Sequence, residues 1–70
     1  MTEFAITTEY IELLGLLKAT GLAMTGGHAK MLVEDGEVLV NGEVESRKRR
    51  KLRNGDVVQV SNSEVRVLNS

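Results

Sequence analysis

"AKMLVEDGEVLVNGEV" (Ala29–Val44) is the stretch whose reading decides the fold. Ala29, Leu32 and Val33 recur with helical spacing and form the buried stripe of a helix from Gly26 to Asp35. Gly36 ends that helix, because glycine takes the left-handed conformation without the penalty a Cβ imposes. Beyond Gly36 the period changes from 3.6 to two. Val38-Leu39-Val40, Asn41-Gly42 and Glu43-Val44 read as strand, turn and returning strand, since a type I′ turn needs positive φ at both central residues and Asn-Gly tolerates it best. A two-residue loop pairs Leu39 with Val44 and sets Val38 and Val40 on the other side. Spacing alone leaves open which side is core.

Working outward toward the N-terminus, Thr25 is placed to cap this helix, and Leu22-Ala23-Met24 is a short apolar link. Gly21 stops a preceding helix, read from Glu9 to Thr20, with Thr8 as its cap and Glu9 and Glu12 in its first turn. Ile11, Leu14 and Leu17, widened by Leu13 and Leu16, are its apolar face. Glu3 to Thr7 alternates as a short edge strand. Toward the C-terminus, Asn54-Gly55-Asp56 is a turn, Val57–Val60 a strand, Ser61–Ser63 a second turn and Val65–Leu68 a closing strand. The expected architecture is α+β: a tight helix–turn–helix pair on a small antiparallel or mixed sheet, with residues 1–70 as a single domain.

With 70 residues, one Phe, one Tyr and no Trp, the core must be built from Leu, Ile, Val, Met and Ala. There is no Cys, hence no disulfide and no thiolate metal site; one His among scattered carboxylates argues against a catalytic metal, and no cofactor is expected. No signal-peptide pattern or membrane-length apolar run is present, so a cytoplasmic location is expected.

The net charge of −1 conceals two halves of opposite sign: two basic against eight acidic residues as far as Glu45, then seven basic against two acidic. Six of the nine basic residues fall in Arg47–Arg53, as Arg47, Lys48, Arg49, Arg50, Lys51 and Arg53. A solvated loop is the plain alternative for any charge run. This run, however, has one sign, is rich in arginines whose planar forks suit phosphate, and is tethered at both ends. Crowded like charges repel unless an anion relieves them, and phosphate is the simplest such anion. Leu52, the one apolar residue in the run, reads as an anchor to the core.

Thr25-Gly26-Gly27-His28 is the second candidate. Glycines in a first helical turn leave access to the unpaired backbone N–H groups, which with the helix dipole form an anion site; the alternative is a turn that needs room for a neighbour. His28 stands where a capping box would have Glu or Gln, and a cation there opposes the dipole, so it is expected neutral in the free protein. Lys18 and Lys30 are equally well read as surface lysines. Glu34-Asp35, Glu37, Glu43 and Glu45 read as solvated charges at element ends. No paired-carboxylate, Ser/His/Asp or P-loop spacing is present, and an enzyme is not expected.

From "LLKATGLAMTGGHAKMLVEDG" through "VLVNGE" to the basic segment ending in Gly55-Asp56, the chain resembles the alpha-L RNA-binding motif of small-subunit ribosomal protein S4-like domains, with the match covering Ile11 to Val60. It is most similar to the small free-standing bacterial members. The resemblance implies two helices on a small sheet, with RNA held at the start of the second helix and in the neighbouring basic loop. By position this points to Thr25, Gly26, Gly27, His28, Lys30, Arg47, Lys48, Arg49, Arg50, Lys51 and Arg53. Many members begin the second helix with a small residue followed by Arg or Lys; here Gly26 and Gly27 stand there, so helix-side binding would rest on backbone N–H groups and Lys30.

The resulting expectation is a non-catalytic protein that recognises the shape of structured RNA, ribosomal or transfer RNA by resemblance, through phosphate contacts. Readout of single strands would call for stacking aromatics, yet Phe4 and Tyr10 lie far in sequence from the basic loop. The alternative is a protein-interaction module whose loop binds an acidic partner. Duplex DNA is disfavoured because the second helix offers only His28 and Lys30 as readers.

Overall fold

A computed structural model describes residues 2–69. In chain order the elements are β1 (Thr2–Ile6), β2 (Ile11–Glu12), α1 (Leu13–Ala19), α2 (Gly26–Glu34), β3 (Val38–Val40), β4 (Glu43–Val44), β5 (Lys51–Leu52), β6 (Val57–Val60) and β7 (Ser63–Asn69). Five strands form a mixed sheet in the order β1-β7-β6-β3-β4, in which β1 runs parallel to β7 and the other neighbours are antiparallel. β2 and β5 form a separate antiparallel pair.

The Asn41-Gly42 turn is as the dipeptide dictates, with φ of 53° and 86° and Leu39 opposite Val44. The side of β3 that faces the core is the one carrying Val38 and Val40, both buried, while Leu39 is half-exposed. Val58 and Val60 of β6 and Val65 and Val67 of β7 continue that buried face by simple alternation. Against it pack Leu13, Leu16 and Leu17 from α1 and Ala29 and Val33 from α2, making one continuous core. Each fully buried Val or Leu contributes about 1.5–3 kcal/mol, which a domain of this size needs in full.

The ends of α2 follow the sequence closely. The Thr25 hydroxyl accepts the His28 amide at 3.0 Å, and the chain leaves α2 through Gly36 at φ 73°. There the Gly36 amide donates to Val33 and the Glu37 amide to Leu32, a Schellman closure that satisfies two otherwise orphaned carbonyls.

The start of α1 corrects the sequence expectation. It begins at Leu13 rather than Glu9, its N-cap is Glu12 with no side-chain cap, and the Thr8 hydroxyl donates instead to the Tyr10 carbonyl at 2.9 Å. The reason is tertiary: Ile11 pairs with Leu52 and Glu12 with Lys51, so the segment read as a first helical turn is extended. The first two helical amides then donate to the basic loop, Leu13 to the Arg50 carbonyl at 2.8 Å and Leu14 to the Lys48 carbonyl at 3.3 Å. Backbone pairing across 40 residues has overridden a local capping signal.

Candidate nucleic-acid interface

The basic loop is built from the backbone outward. Its entry is fixed by the Glu45 amide donating to the Val38 carbonyl at 2.9 Å, its middle by the two α1 amides, and its exit by the β2–β5 pairing. Leu52 is fully buried in the core between Lys51 and Arg53, which confirms its part as the anchor. At the exit, Asp56 accepts the Arg53 amide on Oδ2 at 2.8 Å and the Asn41 side-chain amide on Oδ1 at 3.1 Å. Asn41 Oδ1 in turn accepts the Val57 amide at 2.9 Å, tying the hairpin turn to the end of the loop.

On this frame Arg47, Arg49, Arg50, Lys51 and Arg53 line one open concavity of about 560 Å³. Lys48 leaves it and reaches Glu34, the last residue of α2, at 2.7 Å. Glu12 holds Arg49, with its Oε2 3.2 Å from Nη2 and 3.3 Å from Nε.

Glu45 corrects the reading of the acidic residues. It is buried at 5% exposure, not solvated, and its carboxylate sits between Arg47 and Arg50. Oε2 accepts the Arg47 amide at 2.8 Å and Arg47 Nε at 3.1 Å; Oε1 accepts Arg47 Nη2 at 3.1 Å and Arg50 Nη1 at 2.7 Å. Hydrogen bonding from Arg47 outweighs burial and, with Arg50, lowers the Glu45 pKa from 4.5 to about 2. Glu34 is lowered too, first by its hydrogen bond to Lys48.

Repulsion within the loop is therefore relieved from inside the chain. Glu45, Glu12 and Glu34 pair with four of the loop's cations, and the remaining two meet an aromatic ring. That ring is Tyr10: Lys51 Nζ lies 4.9 Å and the Arg53 guanidinium carbon 5.7 Å from its centroid, within cation–π range. Sequence distance had set Tyr10 apart from the loop, and the β2–β5 pairing brings it there. Only the Ile11–Leu52 register carries that information, and no local pattern announces a two-residue strand.

The α2 candidates form a second group. A Cβ on Gly26 would meet nothing within 4 Å, and one on Gly27 only the Thr25 hydroxyl at 3.9 Å, so no intrachain neighbour requires the glycines. His28 Nδ1 accepts the Met24 amide at 3.1 Å, the role a capping-box Glu would fill one residue later. Lys30 is exposed. No hydrogen bond or ion pair joins this group to the basic loop among the described residues; Lys48 touches α2 at its opposite end, eight residues and about 12 Å along the helix from Gly26.

No helix is long and apolar enough to cross a membrane, and no group of three or more metal-binding side chains occurs, both among the described residues. Comparison with known proteins bears directly on this arrangement. The chain is 45% identical over 56 residues to the probable ribosome maturation protein RlbA of Bacillus subtilis, covering 80% of this chain and 79% of that one. It is 39% identical over 59 residues to the putative RNA-binding protein YbcJ of Escherichia coli, covering 84% of each. The solution structure of YbcJ, described as revealing an alfaL motif involved in RNA-binding, superposes with a TM-score of 0.74 at 36% identity, over 97% of this chain and 87% of that one. The family model described as the S4 domain matches residues 4–68, and with these relatives and this fold the chain belongs to the S4 domain family.

Proposed function

We propose that this chain is a non-catalytic, cytoplasmic RNA-binding protein, acting as one domain, that docks on structured RNA of ribosomal or transfer type through backbone phosphates. The observation that carries the reading is the concavity: five cationic side chains from seven consecutive residues converge on one open surface fixed at both ends by the core. The names of the relatives, an RNA-binding protein and a ribosome maturation protein, support it.

The internal ion pairs do not disqualify the loop as a phosphate site. The Arg49–Glu12 pair is solvent-exposed and worth about 0–1 kcal/mol, so a phosphate can share or replace that carboxylate, while Arg47, whose side chain is 70% exposed, can offer a phosphate the Nη1 that its pair with Glu45 leaves unused. A guanidinium also has more N–H groups than one carboxylate uses. The start of α2, with Gly26, Gly27 and Lys30, is proposed as a second contact along the RNA backbone rather than a wall of the same concavity. Tyr10 supports the cations of the site, and recognition rests on duplex shape and phosphate spacing.

Binding of the purified protein to a structured RNA and to duplex DNA of equal length, across a salt series, tests this. With about four to six phosphates engaged, log affinity should fall with log salt at a slope of roughly −3 to −5, and an Arg47→Ala, Arg49→Ala, Arg50→Ala variant should bind weakly with a shallower slope. DNA competing as well as RNA would remove the shape argument. No RNA binding even at low salt would hand the loop to an acidic protein partner.

A further inference from the structure

Glu45 is a buried acid paired with two of the arginines that line the proposed polyanion site. A buried carboxylate is costly unless its charge is fully met, and here it is met by three groups: the Arg47 amide, the Arg47 guanidinium and the Arg50 guanidinium. The amide bond and the Glu45–Val38 backbone bond fix the carboxylate to β3; the carboxylate then fixes two long side chains that would otherwise sample many rotamers. Arg47 gives Nε and Nη2 to Glu45 and keeps Nη1 for another acceptor, while Arg50 gives only Nη1. Both arginines also line the concavity, and each keeps N–H groups that Glu45 does not use.

We propose that Glu45 is a positioning residue whose carboxylate holds the Arg47 and Arg50 guanidinium groups as one preset clamp for an RNA phosphodiester, so that removing this negative charge weakens binding. The proposal rests on the RNA-binding reading above and adds to it a sign that charge alone does not give. By Coulomb's law, deleting an acid beside a phosphate site raises affinity. By preorganisation it lowers affinity, because two rotamer-rich side chains must then be immobilised during binding rather than during folding.

The test uses the full chain as wild type, Glu45→Gln and Glu43→Gln. Glu43 is exposed on β4 and makes no ion pair among the described residues, so its variant carries the same charge change without touching the clamp. Affinity for an RNA hairpin and for inorganic tripolyphosphate is measured across a salt series, beside nitrogen-15 NMR of the arginine Nε–H groups. The expected result is roughly tenfold weaker RNA binding for Glu45→Gln, with a slope shallower by about 1, and unchanged or slightly tighter binding for Glu43→Gln. The Arg47 Nε–H resonance, protected in the wild type, should shift and exchange faster in Glu45→Gln while core amides stay in place.

Glu45→Gln binding RNA as tightly as the wild type, or more tightly, overturns the clamp. So does a freely rotating Arg47 guanidinium in the wild type, a measurement that stands even if the variant does not fold. If the wild type binds tripolyphosphate but not RNA, the RNA reading falls; the clamp then survives as an anion device only if Glu45→Gln weakens tripolyphosphate binding.

Discussion

Replacing Glu45 by Gln should cost stability at neutral pH, and most of that cost should be gone by about pH 2. The carboxylate's pKa falls from 4.5 to about 2 because the folded state surrounds the charged form with donors from Arg47 and Arg50. A group lowered on folding contributes its full share above the unfolded value and loses it as pH falls through the folded value, so the window runs from about 4.5 down to about 2. Taken whole, that shift is equivalent to about 3 kcal/mol. Arg47 is 70% exposed, and water screens its half of the pair, so about 1–2 kcal/mol is the expected difference. Gln preserves the shape and one acceptor, and both arginines can turn to solvent without leaving a bare charge in the core. Urea unfolding of wild type and Glu45→Gln, at steps from pH 7 to pH 2, reads the difference directly; other carboxylates, Glu34 among them, titrate in both proteins and cancel. A difference that stays constant across this range, or a variant equal to wild type at pH 7, would refute the reasoning.

Two further perturbations address the frame on which the site is built. Leu52→Ala removes a fully buried side chain between two loop cations and should cost about 2–5 kcal/mol in urea unfolding, with accelerated amide exchange at Leu13 and Leu14 because the loop carbonyls that hold them come loose. Thr25→Ala deletes the hydroxyl that accepts the His28 amide at 3.0 Å and should lower stability by about 1 kcal/mol, an effect that Thr25→Ser should largely restore in the same assay.

The parts of the fold legible in the sequence are those set by local stereochemistry. Asn41-Gly42 admits little besides a tight hairpin, Gly36 cannot be passed by a helix without the left-handed residue it supplies, and the Val alternation in β6 and β7 finds its place once one face is buried. The choice between Val38 and Leu39 as the inward residue was not local. A hairpin offers two faces, and which one is covered depends on where α1 and α2 lie. The start of α1 is illegible for the same reason: Thr8 and Glu9 offer a local capping signal, and it loses to the strand pairing of Ile11 and Glu12 with Leu52 and Lys51, which sequence spacing does not display.

The candidate site divides along that line as well. Its cations were visible because charge density is a one-dimensional property, and its anchor was visible because a lone leucine among six charges has little other use. Its counter-charges were not. Glu12, Glu34 and Glu45 come from three separate places in the chain, and taken alone each resembles any other surface acid. The arrangement changes what the cluster means. An uncompensated run of arginines would be held apart by repulsion and ordered only by its ligand, a loop that folds on binding. A run whose members are each docked against a carboxylate or a tyrosine ring is ordered beforehand. On the function proposed above, the loop gives up part of its net attraction for a polyanion and gains a fixed spacing of guanidinium groups, and a fixed spacing would allow a protein short of base-reading side chains to tell one helical geometry from another.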